Sequence, residues 1–207
     1  GNYEGLKIYW IYDLLNDYLE KIMCYGLMAF INFKNKKELT QTGKMINKLL
    51  KKEIEEVEEL IKNGDEHLKI RALPDYIKKG KSTLIFINFF EDAVLIYNYL
   101  LSLNDPLIRP GLIAGRSKMN ENDRNEVIEK FKEQEINVLI STSVGEEGID
   151  IKHVDNVIFF EPIPSAIRKI QRIGRARMDS SNVWVFITKN SSEELYMKIA
   201  ERTERTF

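Results

Sequence analysis

Four short stretches of this chain each hold an unbroken apolar run: LIFI in TLIFINF at 83–89, VLI in INVLIST at 136–142, VIFF in VDNVIFFE at 154–161 and VWVFI in NVWVFIT at 182–188. A strand with one wet face alternates apolar and polar residues, whereas one buried on both faces does not. A fifth, shorter strand, RPGLIAG at 109–115, ends on glycine. Between them lie helical segments: EDAVLIYNYLLSL at 91–103, MNENDRNEVIEKFKEQ at 119–134, PSAIRKIQRIG at 164–174 and SSEELYMKIAERTE at 191–204. Apolar strands separated for the most part by helices predict an α/β unit, a parallel sheet with helices on both faces. In the segment 119–134, Asn120 stands where an N-cap belongs, with Glu121 and Asp123 in the first turn.

Ahead of about residue 68 the texture changes. Leu14, Leu15, Tyr18, Leu19, Ile22 and Met23 recur at three and four, as one face of a helix does. Ile46, Leu50, Ile54, Val57 and Ile61 make a second stripe, flanked by the pairs Lys51–Glu55 and Lys52–Glu56. Both stripes predict helix packing, and Trp10 and Cys24 are expected to pack with them. The expected organisation is an all-helical accessory region at 1–67 and the α/β unit at 68–207. Hydrophobic residues make up 43% and aromatic residues 10% of the 207, enough for a core, so the chain is no disordered tail.

Charge excludes little: Lys and Arg number 31 against 32 Asp and Glu, a net of −1, so local patches decide any polyanion binding. The single cysteine leaves no internal disulfide or thiolate zinc site, and two distant histidines, His67 and His153, make no metal centre. The longest uncharged apolar run, 22–33, falls short of the about 20 residues that span a bilayer. The expectation is a cytoplasmic chain in a reducing compartment, without a membrane or a metal site of its own.

Gly80-Lys81-Ser82-Thr83 has the spelling of the end of a phosphate-binding loop. That loop needs glycine five residues earlier and a helix immediately after, because the free N–H groups of the helix face the phosphates. Asp75 stands at the glycine position, and the β-branched run after Thr83 predicts a strand. The tetrapeptide therefore reads as a helix stop leading into a strand.

Ligands of doubly wound sheets meet the loops at the carboxyl ends of the strands. STSVGEEGIDI at 141–151 is such a loop. Gly145 and Gly148 allow backbone approach, Thr142 and Ser143 can donate to phosphate oxygens, and Asp150 can accept from a sugar hydroxyl. The same composition also suits a simple polar loop. In SAIRKIQRIGRARM, 165–178, Arg168, Lys169, Arg172, Arg175 and Arg177 occur with no acid among them. A solvated basic face is one reading; the other is phosphate recognition, for which guanidinium groups are suited. Gln171 and Arg175, four apart, share a helix face.

Gln171-x-x-Gly174-Arg175-x-Arg177 resembles motif VI of the superfamily 2 helicases, STSVGEEGIDI resembles their motif V, and TLIFINFFEDA their motif IV, in the family's order. The resemblance spans 68–207 and implies a RecA-like lobe. FFEPIPSAIRKIQRIGRARM is most similar to the Hef- and FANCM-type helicases of stalled forks, which insert a helical domain between two such lobes. The resemblance implies that Gln171, Arg175 and Arg177 face the phosphates of ATP, the two arginines as fingers. It implies that Gly148 and Asp150 approach the ribose. It also implies that Asn88, Gly115, Arg116, Thr142 and Ser143 meet the nucleic-acid backbone. The phosphate-binding loop and the acidic motif that mainly holds Mg2+ belong to the first lobe, so the expected partners are branched DNA and that lobe of the same polypeptide. The expected activity is ATP-dependent helicase or translocase action on forked DNA.

Hef-type chains spell the end of motif VI G-R-T-G-R. Here it reads Gly174-Arg175-Ala176-Arg177-Met178, closer to Dicer-like and innate-immune RNA sensor helicases. A helicase directed to double-stranded RNA is therefore the alternative. A second is a helicase-like scaffold that binds nucleic acid without turnover, against which the intact Gln171, Arg175 and Arg177 set argues. A third is an unrelated doubly wound enzyme, against which the lack of a G-x-G-x-x-G turn after any strand counts.

Overall fold

The computed structural model describes residues 3–78, 82–142, 154–162 and 181–204. The chain divides into two compact units, Gly1–Arg71 and Ala72–Phe207.

The first unit is helical. Helix α1 (Tyr3–Glu20) runs into a π-helical turn, Lys21–Tyr25, and is followed by α2 (Leu27–Lys37), α3 (Gln41–Leu49) and α4 (Lys51–Lys62). Gly26, at φ 112°, separates the π turn from α2 in a conformation that side chains disfavour. Having no side chain to cap α2, it leaves that role to Glu66, whose carboxylate accepts the N–H groups of Leu27 (3.1 Å) and His67 (2.7 Å). Lys69 Nζ donates to the Cys24 carbonyl at the end of the π turn, 3.3 Å away.

Leu14, Tyr18, Phe30, Ile46, Ile54 and Val57 form the core of this unit. In the second predicted stripe Ile46, Ile54 and Val57 are buried and Leu50 and Ile61 partly so, and a break at Leu50 divides it between α3 and α4. Lys51–Glu55 and Lys52–Glu56 pair along α4 at 3.7 Å each. The first stripe is buried only in part. Leu14 and Tyr18 face inward, but Leu19 is 54% exposed and Trp10 64%, and Leu15 is exposed as well. One residue further along a helix is about 100° further round it, which carries Leu15 and Leu19 off the narrow contact face. Cys24 is buried as expected. The Tyr18 hydroxyl bonds Asn47 Oδ1 at 2.5 Å. Burial, with the Glu38 carboxylate adding to it, pushes that phenol up to about 12.

Helix α5 (Leu68–Ile77) carries the division between the units, and the sheet follows: β1 (Thr83–Ile87), α6 (Phe90–Ser102), β2 (Pro110–Ile113), α7 (Glu121–Lys132), β3 (Val138–Thr142), β4 (Asn156–Phe159), β5 (Asn182–Val185) and the closing helix α8 (Ser192–Glu204). The strand order is β2-β3-β1-β4-β5, with every neighbouring pair parallel. The fold is a parallel α/β unit, as the pattern of strands and helices predicts, with the RecA-like character that the resemblance implies. Both TLIFI and VLIST are buried at every position. Phe86 and Phe159 stack at 5.3 Å on adjacent strands. Asn120 caps α7 by accepting the Asp123 N–H at 2.8 Å. The predicted helix at 164–174 lies outside the described residues.

β1 opens at Thr83, so a strand follows the Gly80-Lys81-Ser82-Thr83 tetrapeptide where a phosphate-binding loop needs a helix. Ser82 is engaged elsewhere: its N–H and hydroxyl both donate to Asp155 Oδ2, at 2.8 and 3.1 Å. Nearby, Lys78 Nζ lies 2.6 Å from Asp105, which raises the lysine and holds the carboxyl below its usual range, chiefly through their hydrogen bond. Among the described residues no helix is long and apolar enough to cross a membrane.

Gly43 tests the packing of the helical unit. Thr40 caps α3 by accepting the Gly43 N–H at 3.0 Å, and a Cβ on Gly43 would lie 1.9 Å from the Lys37 carbonyl oxygen. Alanine gains about 1 kcal/mol over glycine in an open helix, yet here backbone must move to admit it. Gly43→Ala is therefore expected to lower stability, with the loss read as an earlier urea midpoint. An unchanged or later midpoint would show that the α2–α3 turn yields freely.

Candidate functional site

Parallel strands all point one way, so their carboxyl ends share one edge of the sheet. The register aligns them: Ile87 pairs with Thr142, Ile113 with Ser141 and Phe86 with Phe159. The chain leaving β1 crosses to β2 on one side of the sheet, while the chain leaving β4 goes to β5 on the other. The topological switch point, where such sheets open a crevice, thus lies between the carboxyl ends of β1 and β4.

Four of the candidate residues can be placed on this edge. Asn88, immediately after β1, is exposed. Gly115, two residues after β2, is buried, and its carbonyl accepts the N–H groups of Lys118 (2.9 Å) and Met119 (3.2 Å), closing a turn that leaves Arg116 exposed at its tip. Thr142 ends β3 and is buried, so in this structure it offers no exposed side chain. Lys118 links two of the loops: its ammonium stands 5.4 Å from the Phe90 ring centre and 3.7 Å from Glu91. That half-exposed ion pair is worth at most about 1 kcal/mol, so it adds little to stability.

Ser143, Gly148, Asp150, Gln171, Arg175 and Arg177 lie outside the described residues. Their flanking residues are placed: 143–153 follows β3 directly, and 163–180 follows Pro162, just beyond β4. Both motif-bearing segments therefore leave from the edge that holds Asn88 and Arg116.

Sequence reasoning passed over Glu161. It is 3% exposed, and its carboxylate accepts the main-chain N–H of Asn88 across the switch point. The signal was available, since an acid closes an otherwise apolar strand in NVIFFE. In the helical unit, Lys34, Lys36 and Lys37 are basic residues at the end of α2 that could face a polyanion. Lys34 is a poor candidate: its side chain is 16% exposed and stands 3.7 Å from Glu58. Lys37 lies 5.0 Å from the centre of the Phe33 ring, while Lys36 is exposed. A cavity of about 360 Å³ beside them sets Lys34, Lys44, Lys48 and Lys51 against Glu38, Glu55 and Glu58, so it carries no field of one sign.

Comparison with known proteins places the chain in a wider group. The family described as helicase conserved C-terminal domain matches residues 68–179. A Methanocaldococcus jannaschii protein named as an ATP-dependent RNA helicase is 34% identical over 98% of this chain and 26% of its own length. The ATP-dependent DNA helicase mph1 of Aspergillus fumigatus is 29% identical over 68% of this chain and 14% of its own length. The chain thus spans 26% of the length of the first relative and 14% of the second. The solved helicase domain of Pyrococcus furiosus Hef superposes with a TM-score of 0.77 at 30% identity, over 96% of this chain and 44% of that one.

Proposed function

The chain belongs to the helicase conserved C-terminal domain family, and on that premise we propose that it is the second RecA-like lobe, with part of an inserted helical domain, of an ATP-dependent helicase or translocase acting on branched DNA. The observation that carries this reading is the convergence on one sheet edge of exposed Asn88 and Arg116 with the start of both motif-bearing segments. The names of the mph1 and Hef relatives support a DNA helicase. The helical region at 1–67 is read as the inserted part, and 68–207 as the lobe. A cytoplasmic setting accords with the single cysteine, Cys24, buried as a free thiol.

In this reading Asn88, Gly115, Arg116, Thr142 and Ser143 follow the nucleic-acid backbone. Arg116 supplies a charge-assisted contact to phosphate, and the exposed Asn88 side chain can add a hydrogen bond beside it, while Gly115 closes the turn that presents Arg116. The donor set of the second half fits ATP: guanidinium groups of Arg175 and Arg177 suit phosphate oxygens, with the Gln171 amide beside them, and the Asp150 carboxylate suits a ribose hydroxyl, with Gly148 leaving room for it. Bound ATP would supply the free energy of phosphoryl transfer to water. Mg2+ would be held mainly by the first lobe, the partner of this one in the same polypeptide. The arginines act by stabilising charge at the phosphates and by excluding water between lobes.

A second reading, a helicase acting on double-stranded RNA, is favoured by the Gly174-Arg175-Ala176-Arg177 spelling and by the name of the Methanocaldococcus relative. Competition between labelled DNA forks and RNA duplexes for the full-length protein separates the two.

Three outcomes are expected. The isolated chain turns over no ATP, because it has no phosphate-binding loop; DNA-stimulated turnover by the purified chain would contradict the two-lobe reading. In the full-length protein Arg116→Ala weakens fork binding and reduces the slope of log affinity against log salt by about one, the signature of a single lost phosphate contact. An unchanged slope would make Arg116 an ordinary solvated charge. Finally, Arg175→Ala and Arg177→Ala each lower ATP turnover, one of them by about 10³ or more, while fork affinity stays near its starting value. Arg168→Ala and Arg172→Ala serve as controls. If all four variants lose affinity together and none loses turnover, the run is an electrostatic patch.

A further inference from the structure

A parallel ladder between β1 and β4 should continue past Phe86 and Phe159 to a bridge between Ile87 and Phe160. Such a bridge needs two hydrogen bonds: the Phe160 N–H to the Phe86 carbonyl, and the Asn88 N–H to the Phe160 carbonyl. The first is made at 3.0 Å. The second is replaced, because the Asn88 N–H is donated to the carboxylate of Glu161 instead. The side chain stands in for the main chain at the point where the two strands part, which is the switch point of the sheet. Being 3% exposed, the carboxylate would cost several kcal/mol to bury without hydrogen bonds. Loss of the Glu161 carboxylate therefore removes this partner of the Asn88 N–H at the point where the strands part.

We propose that Glu161 is a positioning residue that fixes the β1–α6 loop for nucleic-acid contact. Glu161 is followed by Pro162, whose ring restricts the backbone, so the carboxylate is carried on a constrained stretch just beyond β4. The contact uses the main chain of Asn88, so the Asn88 side chain remains available to the ligand. This inference rests on the reading of the edge as a nucleic-acid track.

The test uses the full-length protein, a labelled DNA fork as probe, and amide hydrogen exchange at Asn88. Glu161→Ala is expected to speed exchange of that amide and to weaken fork binding about tenfold, the lower range for losing a hydrogen bond to a charged group. Glu161→Gln keeps an acceptor oxygen at the same reach and is expected to restore both slow exchange and most of the affinity. Should the alanine variant fail to fold, Glu161→Asp, with its carboxylate drawn back by one methylene, is expected to show the same fast exchange and weak binding. Fast exchange with unchanged affinity in any of these variants overturns the proposal, as does a glutamine variant as weak as alanine. Asn88→Ala and Arg116→Ala keep the Glu161 contact and test the track itself. If both bind the fork as the parent does, the functional reading fails and the inference falls with it; if they weaken binding while Glu161→Ala does not, only the inference fails.

Discussion

The central strand β1 is the element on which the α/β unit depends. It pairs in parallel with β3 on one side and β4 on the other, and every residue from Thr83 to Ile87 is buried. A strand placed there has no edge to expose and can satisfy its main chain only through both neighbours. Parallel neighbours cannot be joined by tight turns, so each connection must leave the sheet, cross a face and return to the same starting edge. That requirement gathers the loops after β1, β2, β3 and β4 at one carboxyl edge. Collecting candidate residues from distant parts of the chain is thus a consequence of how β1 is hydrogen-bonded.

Two acids on the β4 segment fasten β1 at its ends. Asp155, just before β4, accepts the N–H and the hydroxyl of Ser82, and the Ser82 hydroxyl in turn accepts the Asp155 N–H at 3.1 Å. Glu161, just after β4, accepts the N–H of Asn88. Side chains thereby extend the β1–β4 pairing in both directions beyond the ladder itself. At the amino edge the result is a closed, reciprocal arrangement remote from the candidate residues. At the carboxyl edge it holds the first residue of an exposed loop.

The helical unit solves its end problems by the same means. Gly26 ends the π turn in a backbone conformation closed to most residues, and Glu66 caps the next helix from 39 positions away. Its core, however, is small. Four helical segments meet around Tyr18 and Ile46, so a helix contributes only a narrow stripe before its apolar residues reach solvent. Charge there is interleaved and not segregated, and Lys34 is covered against Glu58.

The order and type of the described elements from β1 onward were legible in the sequence because they are local. The short, β-branched apolar runs within 83–87 and 138–142 favour a buried strand, and Asn120 caps α7 through an amide three residues away. The false phosphate-binding loop was legible for the same reason, since the residues after Thr83 favour strand. The motifs at 141–151 and 171–177 were recognisable by their spacing, which a linear string preserves. Strand order was not legible: bringing β4 beside β1 depends on pairing segments some seventy residues apart, and nothing near either strand encodes its neighbour. Nor was the partial exposure of Leu15, Leu19 and Trp10, because a helical stripe fixes which residues share a face but not how many helices cover it. Glu161 shows the difference most directly. The sequence places an acid at the end of an apolar strand, but only the parallel pairing puts the Asn88 N–H within its reach.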